Sequence, residues 1–315
     1  MTDTRHQLAK LLRFTLPTAT PDHQRTERVD LDGFARTLIV YRGADGGRVP
    51  AFLFEPHEPG GGAVLAVHQH ASQWQFGKSE VAGLVGDPLQ AFAPALAKAG
   101  ITVLAPDMPG FEERMVGAGA GAELAPTLER PGSTKQGWLQ YYNLAMHRIV
   151  SGDYLLTEIL GDCAAAISLL LSLPEVDASR VGVFGHSFGG NTTLFHAALD
   201  TRVAFACASG AACSYRHKLE HGTGLEMALV VPSIAERFDL DDLFRCICPR
   251  SLLVVSSEDD PYSADARVLV DDARAHYEAA ERSSYLEHLR TAGGHDLDAT
   301  RFAAIENWLT RTADG

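Results

Sequence analysis

Apolar residues recur along this chain with two periods, and the two alternate. Short continuous runs at 63–67, 101–105, 180–184, 203–208 and 251–255 have the length and flanking turn residues of buried strands. Between them lie longer stretches with apolar positions three and four apart. These predict helices at 88–99, closed by Gly100, at 153–173, stopped by Pro174, and at 187–199, 264–280 and 298–310. Residues 5–14 read as one more short helix, halted before Pro17, and 284–288 as a last strand. Near the start, 34–41 and 49–54 flank the glycine-rich stretch 43–47, which is the pattern of a hairpin.

Strands alternating with helices predict an α/β fold, with a mostly parallel sheet covered on both faces and the hairpin adding antiparallel strands at one edge. The alternation breaks twice. Residues 110–150 lose the pattern as far as about Gln140 and contain the small-residue run 117–121, and residues 210–248 form a second excursion. Both leave the sheet at its carboxyl end, where open α/β sheets bind ligands, so both are lid candidates on a chain organised as one domain over 1–315.

Composition narrows the partners more than the fold. The chain has 315 residues, 46% hydrophobic and 21% charged, as ordinary globular proteins have. Its 40 acidic and 27 basic residues give a net charge of −13, which argues against nucleic acid or an anionic membrane as partner. Residues 1–16 contain no uninterrupted apolar core of signal-peptide length. The greasiest stretch, 163–173, is too short to cross a bilayer and carries Ser168 and Ser172. A cytoplasmic protein is expected, and a homo-oligomer is compatible with the sequence. Cys163, Cys207, Cys213, Cys246 and Cys248 are odd in number and lack the Cys-x-x-Cys spacing, so they read as reduced core thiols.

The chemistry concentrates at Gly185-His186-Ser187-Phe188-Gly189, between a predicted buried strand and a predicted helix. A serine hydroxyl needs a base within hydrogen-bond reach and must stand clear of the backbone, and glycines two before and two after permit such a strained turn. A bare Gly-x-Ser-x-Gly also fits a glycine-rich helix cap; the strand before it and the helix after it favour Ser187 as a nucleophile. In folds of this type the acid follows a later strand and the histidine comes last. The loop Glu258-Asp259-Asp260-Pro261 offers three carboxylates, with Asp260 favoured because Pro261 fixes the turn, Asp259 second and Glu258 third. His295, in Gly293-Gly294-His295-Asp296, is the candidate base. The backbone N–H of Phe188 is one oxyanion donor, and the loop His68-Gln69-His70 is expected to supply the other. His68 and His70 have the spacing of a strand-borne metal pair, but no third ligand is evident nearby, so no metal is expected. His186 reads as a packed neighbour. Trp138, Tyr141 and Tyr142, with Met146, Phe238 and Phe244, are candidates for an apolar pocket, against the bland reading that they form the insertions' own core.

These pieces together resemble the acetyl-xylan-esterase and dienelactone-hydrolase-like branch of the α/β-hydrolases, from about residue 48 to the C-terminus. The resemblance rests on His68-Gln69-His70, on 77–83, on Leu104-Ala105-Pro106-Asp107 with 110–114, and on 173–183. It continues through 185–190, Val231-Pro232, 249–253, Asp260-Pro261 and His295. It implies Ser187 as nucleophile, Asp260 as acid and His295 as base, without a cofactor. It also implies a small-molecule acyl substrate, most often a carboxylic ester and in some members a lactone, amide or peptide. Two departures stand out. Gln69 occupies a position where many relatives have glycine, leaving the His70 N–H as the preferred second oxyanion donor, and Ser256-Ser257 replaces a more usual His-Gly. Acyl transfer, peptidase action and non-catalytic ligand binding on the same fold are the competing readings.

Overall fold

The computed structural model describes residues 2–115 and 134–315. Nine strands form one sheet: β1 (His23–Leu31), β2 (Phe34–Arg42), β3 (Arg48–Pro56), β4 (Ala63–Val67), β5 (Thr102–Pro106), β6 (Val181–His186), β7 (Phe205–Ser209), β8 (Ser251–Ser257) and β9 (Leu286–Thr291). Their spatial order is β1-β2-β3-β5-β4-β6-β7-β8-β9. β1, β2, β3 and β5 pair antiparallel, and every pair from β5 to β9 is parallel. The α-helices are α1 (Thr2–Leu11), α2 (Lys78–Val81), α3 (Phe92–Lys98), α4 (Thr134–Val150), α5 (Leu155–Leu171), α6 (Phe188–Leu199), α7 (Tyr215–His221), α8 (Leu240–Ile247), α9 (Ala266–Ala279) and α10 (Ala299–Asp314).

The period of two along each strand sorts the core into two layers. Ala63, Leu65 and Val67 of β4 face a cluster with Leu160, Leu194, Phe244 and Val270, contributed by α5, α6, α8 and α9. Val64 and Ala66 face the opposite cluster, with Phe92 and Leu96 of α3 and Ile305 and Trp308 of α10. This is the α/β-hydrolase arrangement expected from the sequence. All five cysteines are buried and free, as expected of core thiols. The apolar stretch at 163–173 lies mostly in the buried helix α5.

Three elements depart from expectation. β1 carries no apolar pattern, and each of its nine residues is exposed. It is held by backbone pairing to β2 and by Arg25 and Arg28, which reach Glu55 at 2.6 and 2.9 Å; its charge suits an unpaired edge. The helix expected at 88–99 is broken at Ala91, whose ψ of 54° is not helical, into α3 and a short 3₁₀ turn that Asp87 caps by accepting from the Leu89 N–H. The stretch expected to be irregular up to Gln140 is helical from Thr134 in α4, where Tyr141 and Ala145, four residues apart, are buried in the main core. The small-residue run 117–121 lies outside the described residues.

Candidate active site

The carboxyl ends of β4, β6, β8 and β9 converge at one edge of the sheet. β6 ends at His186, and Ser187 follows with φ 57° and ψ −116°, a strained conformation that lifts its side chain out of the turn. The flanking glycines are required by contact. A Cβ on Gly185 would lie 2.3 Å from the Gly189 carbonyl carbon, and one on Gly189 would lie 2.2 Å from the Val67 carbonyl oxygen. The turn is pressed against the end of β4, which leaves no room for a side chain.

Ser187 Oγ lies 2.7 Å from His295 Nε2, and His295 Nδ1 lies 3.0 Å from Asp260 Oδ1. With Nδ1–H donating to the carboxylate, Nε2 is left as an acceptor for the serine hydroxyl. The three carboxylates of the acidic loop are separated by their surroundings. Asp260 is buried, while Glu258 and Asp259 point into solvent and join the loop to 291–293 through their backbone N–H groups. Asp260 also accepts from the Tyr262 N–H and from Ser263 Oγ at 2.7 Å. Burial pushes this carboxyl up, but the hydrogen bonds from His295, Ser263 and Tyr262 outweigh it and hold Asp260 below the usual carboxylate range. Gly293, at φ 101°, makes the turn that brings His295 back over Ser187.

His186 is a neighbour of this set. It is buried, its Nδ1 is 3.0 Å from Ser209 Oγ, and burial together with nearby His295 pushes it down to about 3. Phe188 opens α6, so its N–H has no preceding helical carbonyl to bond. His70 and Phe188 line one cleft with Ser187 and His295. The Gln69 side chain turns away from the cleft and donates to Glu80 Oε1 at 3.1 Å.

Both His68 ring nitrogens and His70 Nδ1 are engaged by the backbone. His68 Nε2 accepts from the Met108 N–H, and His70 Nδ1 from the Ser72 N–H. Burial pushes both rings down to about 4, so both are neutral near pH 7. Among the described residues, Asp107, Glu112 and Glu113 form the one cluster with metal-ligand geometry, and they converge on the Lys78 ammonium, at 2.8, 2.6 and 2.6 Å. A lysine already supplies the positive charge there.

The cleft has a volume of about 390 Å³. Both insertions contribute to its wall, through Trp138 of α4 and through the loop Gly224–Met227. The expected pocket aromatics divide. Trp138 lines the cleft, whereas Tyr142 stacks on it from outside, with ring centroids 5.3 Å apart. Tyr141 is fully buried behind the wall against Phe111 and His70, because it sits on the core-facing side of α4. Phe238 and Phe244 are core residues, and Met146 packs against that core. The sequence reading missed Asn191, Tyr262 and Glu226 as lining residues. Tyr262, two residues after Asp260, and Asn191, one helical turn into α6, carry a positional signal. Glu226 carries none.

The acetyl xylan esterase (AXE1) family model matches residues 90–223. A relative from Bacillus subtilis (strain 168), carrying the name hydrolase YtaP, is 26% identical over 97% of this chain and 98% of its own length. A Bacteroides fragilis structure named as an acetyl xylan esterase superposes with a TM-score of 0.70 at 14% identity, over 92% of this chain and 74% of that one. A glucuronoyl esterase from Solibacter usitatus superposes with a TM-score of 0.67 at 15% identity, over 99% and 92%. At these identities the structural likeness speaks for the fold.

Proposed function

We propose that this chain, an ester hydrolase of the α/β-hydrolase superfamily resembling the acetyl-xylan-esterase branch, cleaves a small-molecule carboxylic ester through an acyl-enzyme on Ser187. The observation that carries this reading is the unbroken relay Ser187 Oγ to His295 Nε2 at 2.7 Å and His295 Nδ1 to Asp260 Oδ1 at 3.0 Å, opening into a cleft.

Ser187 Oγ attacks the ester carbonyl while its proton passes to His295 Nε2. The alkoxide-like oxygen of the tetrahedral intermediate is held by the Phe188 N–H and a second donor, for which the His70 N–H is the candidate because His70 lines the same cleft. Asp260 keeps the imidazole in the productive tautomer and stabilises its charged form. Collapse expels the alcohol, which takes the proton from His295. Water, deprotonated by the same histidine, then releases the carboxylic acid and regenerates Ser187.

Ser187→Ala is expected to lower kcat toward a simple ester by roughly 10⁴-fold or more while the protein remains folded. A fluorophosphonate should label wild type at Ser187, located by peptide mass, and should leave the variant unlabelled. Labelling at another serine, or undiminished turnover in the variant, rejects the mechanism.

A further inference from the structure

Glu226 brings a carboxyl group to the wall of the cleft that the triad opens into. It is fixed in place: Oε1 accepts from the Tyr141 hydroxyl at 2.8 Å, and Oε2 accepts from the Ala228 N–H at 2.9 Å. Among the described residues it makes no ion pair, and Lys218 acts on it only through longer-range attraction. The described lining contains this one acidic residue and neither lysine nor arginine. Two exposed aromatic rings share the wall, Trp138 at 46% and Tyr262 at 40% exposure.

We propose that Glu226 makes this cleft selective for esters whose non-reacting portion carries a positively charged ammonium group. The inference rests on the hydrolase reading of the same site. Burial opposes the charged form of this carboxyl and pushes it up to about 7. A neutral hydroxyl would add one more hydrogen bond of the kind Tyr141 already supplies and leave the buried charge uncompensated. An ammonium group brings the opposite charge that no described side chain supplies within ion-pair distance. The exposed faces of Trp138 and Tyr262 add cation–π attraction, which neutral substrates do not gain. The chain's net charge of −13 raises the local concentration of cations and disfavours carboxylate-bearing substrates.

Acetylcholine and 3,3-dimethylbutyl acetate make the test, because they share shape and ester and differ in one charged atom. In wild type the ratio of their kcat/KM values is expected to favour the cation by about tenfold or more, the size of one desolvated cation–π or charge contact. In Glu226→Gln and Glu226→Ala the ratio should fall at least severalfold, to the part that Trp138 and Tyr262 supply, whatever common factor changes both rates. Glu226→Asp, which keeps the charge, should retain part of the preference. A wild-type ratio near one overturns the inference however the variants fold, and so does a preference that survives Glu226→Gln undiminished. If the neutral ester is cleaved through Ser187 without charge discrimination, only this inference falls. If neither ester is cleaved and Ser187 resists labelling, the hydrolase reading falls with it.

Discussion

Three adjacent carboxylates in one loop differ only in where the backbone sends them. Glu258 and Asp259 carry the charge and hydrogen-bonding capacity of Asp260, yet only Asp260 is buried with its Oδ1 on His295. The consequence is a graded set of substitutions. Asp260→Asn should cost on the order of 10³–10⁴-fold in kcat, because an amide cannot hold the imidazole in the tautomer that accepts the serine proton. Asp259→Asn and Glu258→Gln should leave kcat within about threefold, as exposed changes away from the relay generally do. Steady-state rates on one ester, with folding checked by circular dichroism, decide it. A damaging Asp259→Asn would place the acid one residue earlier.

At the scale of elements, the site is held by the close approach of the Ser187 turn to the end of β4. Gly189 illustrates the constraint, since an added methyl would sit 2.2 Å from the Val67 carbonyl oxygen, and neither backbone can yield without opening the sheet. Gly189→Ala should therefore destabilise the protein by more than about 3 kcal/mol, or prevent its accumulation as folded protein. Gly294 is the contrast: a Cβ there meets nothing within 4 Å, and its φ is not in the left-handed region. Gly294→Ala should change stability by less than about 0.5 kcal/mol. Urea unfolding of the two variants beside wild type makes the comparison, and equal costs would contradict the contact geometry. The α4 helix makes a related point. Trp138 and Tyr142 share its outward face while Tyr141 and Ala145 share the inward one, so neighbouring aromatics have different roles.

The molecule as a whole carries a dependence on pH through buried neutral histidines. His196 is fully buried on α6, and neither ring nitrogen makes a hydrogen bond among the described residues. Burial pushes it from 6.5 down to about 4. Between those values the unfolded chain binds a proton that the folded protein refuses. This stability is therefore present above about pH 6.5 and is lost as pH falls, at about 1.4 kcal/mol per pH unit and about 3 kcal/mol in all. His196→Leu removes the group. The difference in unfolding free energy between variant and wild type should shift in the variant's favour by about that amount between pH 7.5 and about 4.5. Parallel stability curves would mean that His196 takes up its proton equally in the folded and unfolded chain, with Asp200, whose Oδ2 lies 3.6 Å from its Nε2, offsetting the effect of burial.

Much of this was readable from residues in order. Buried strands announce themselves because both faces of a parallel sheet are covered, so β4 runs over 63–67 as the apolar run does. Ser187 is marked by glycines that contacts within the turn and with β4 require, and His295 by Gly293 at positive φ, so both stand out in the sequence before their contacts are known. The strand β1 was invisible because it buries nothing and is specified by pairing alone, which leaves no hydrophobic period. The choice among Glu258, Asp259 and Asp260 was narrowed by Pro261, while burial and contact with His295 belong to the assembled loop. The sequence also named the insertions without showing which face each residue presents. That Tyr141 fills the core, Trp138 meets the cleft and Glu226, eighty-five residues beyond Tyr141, joins it depends on packing between distant segments, and only the tertiary structure decides it.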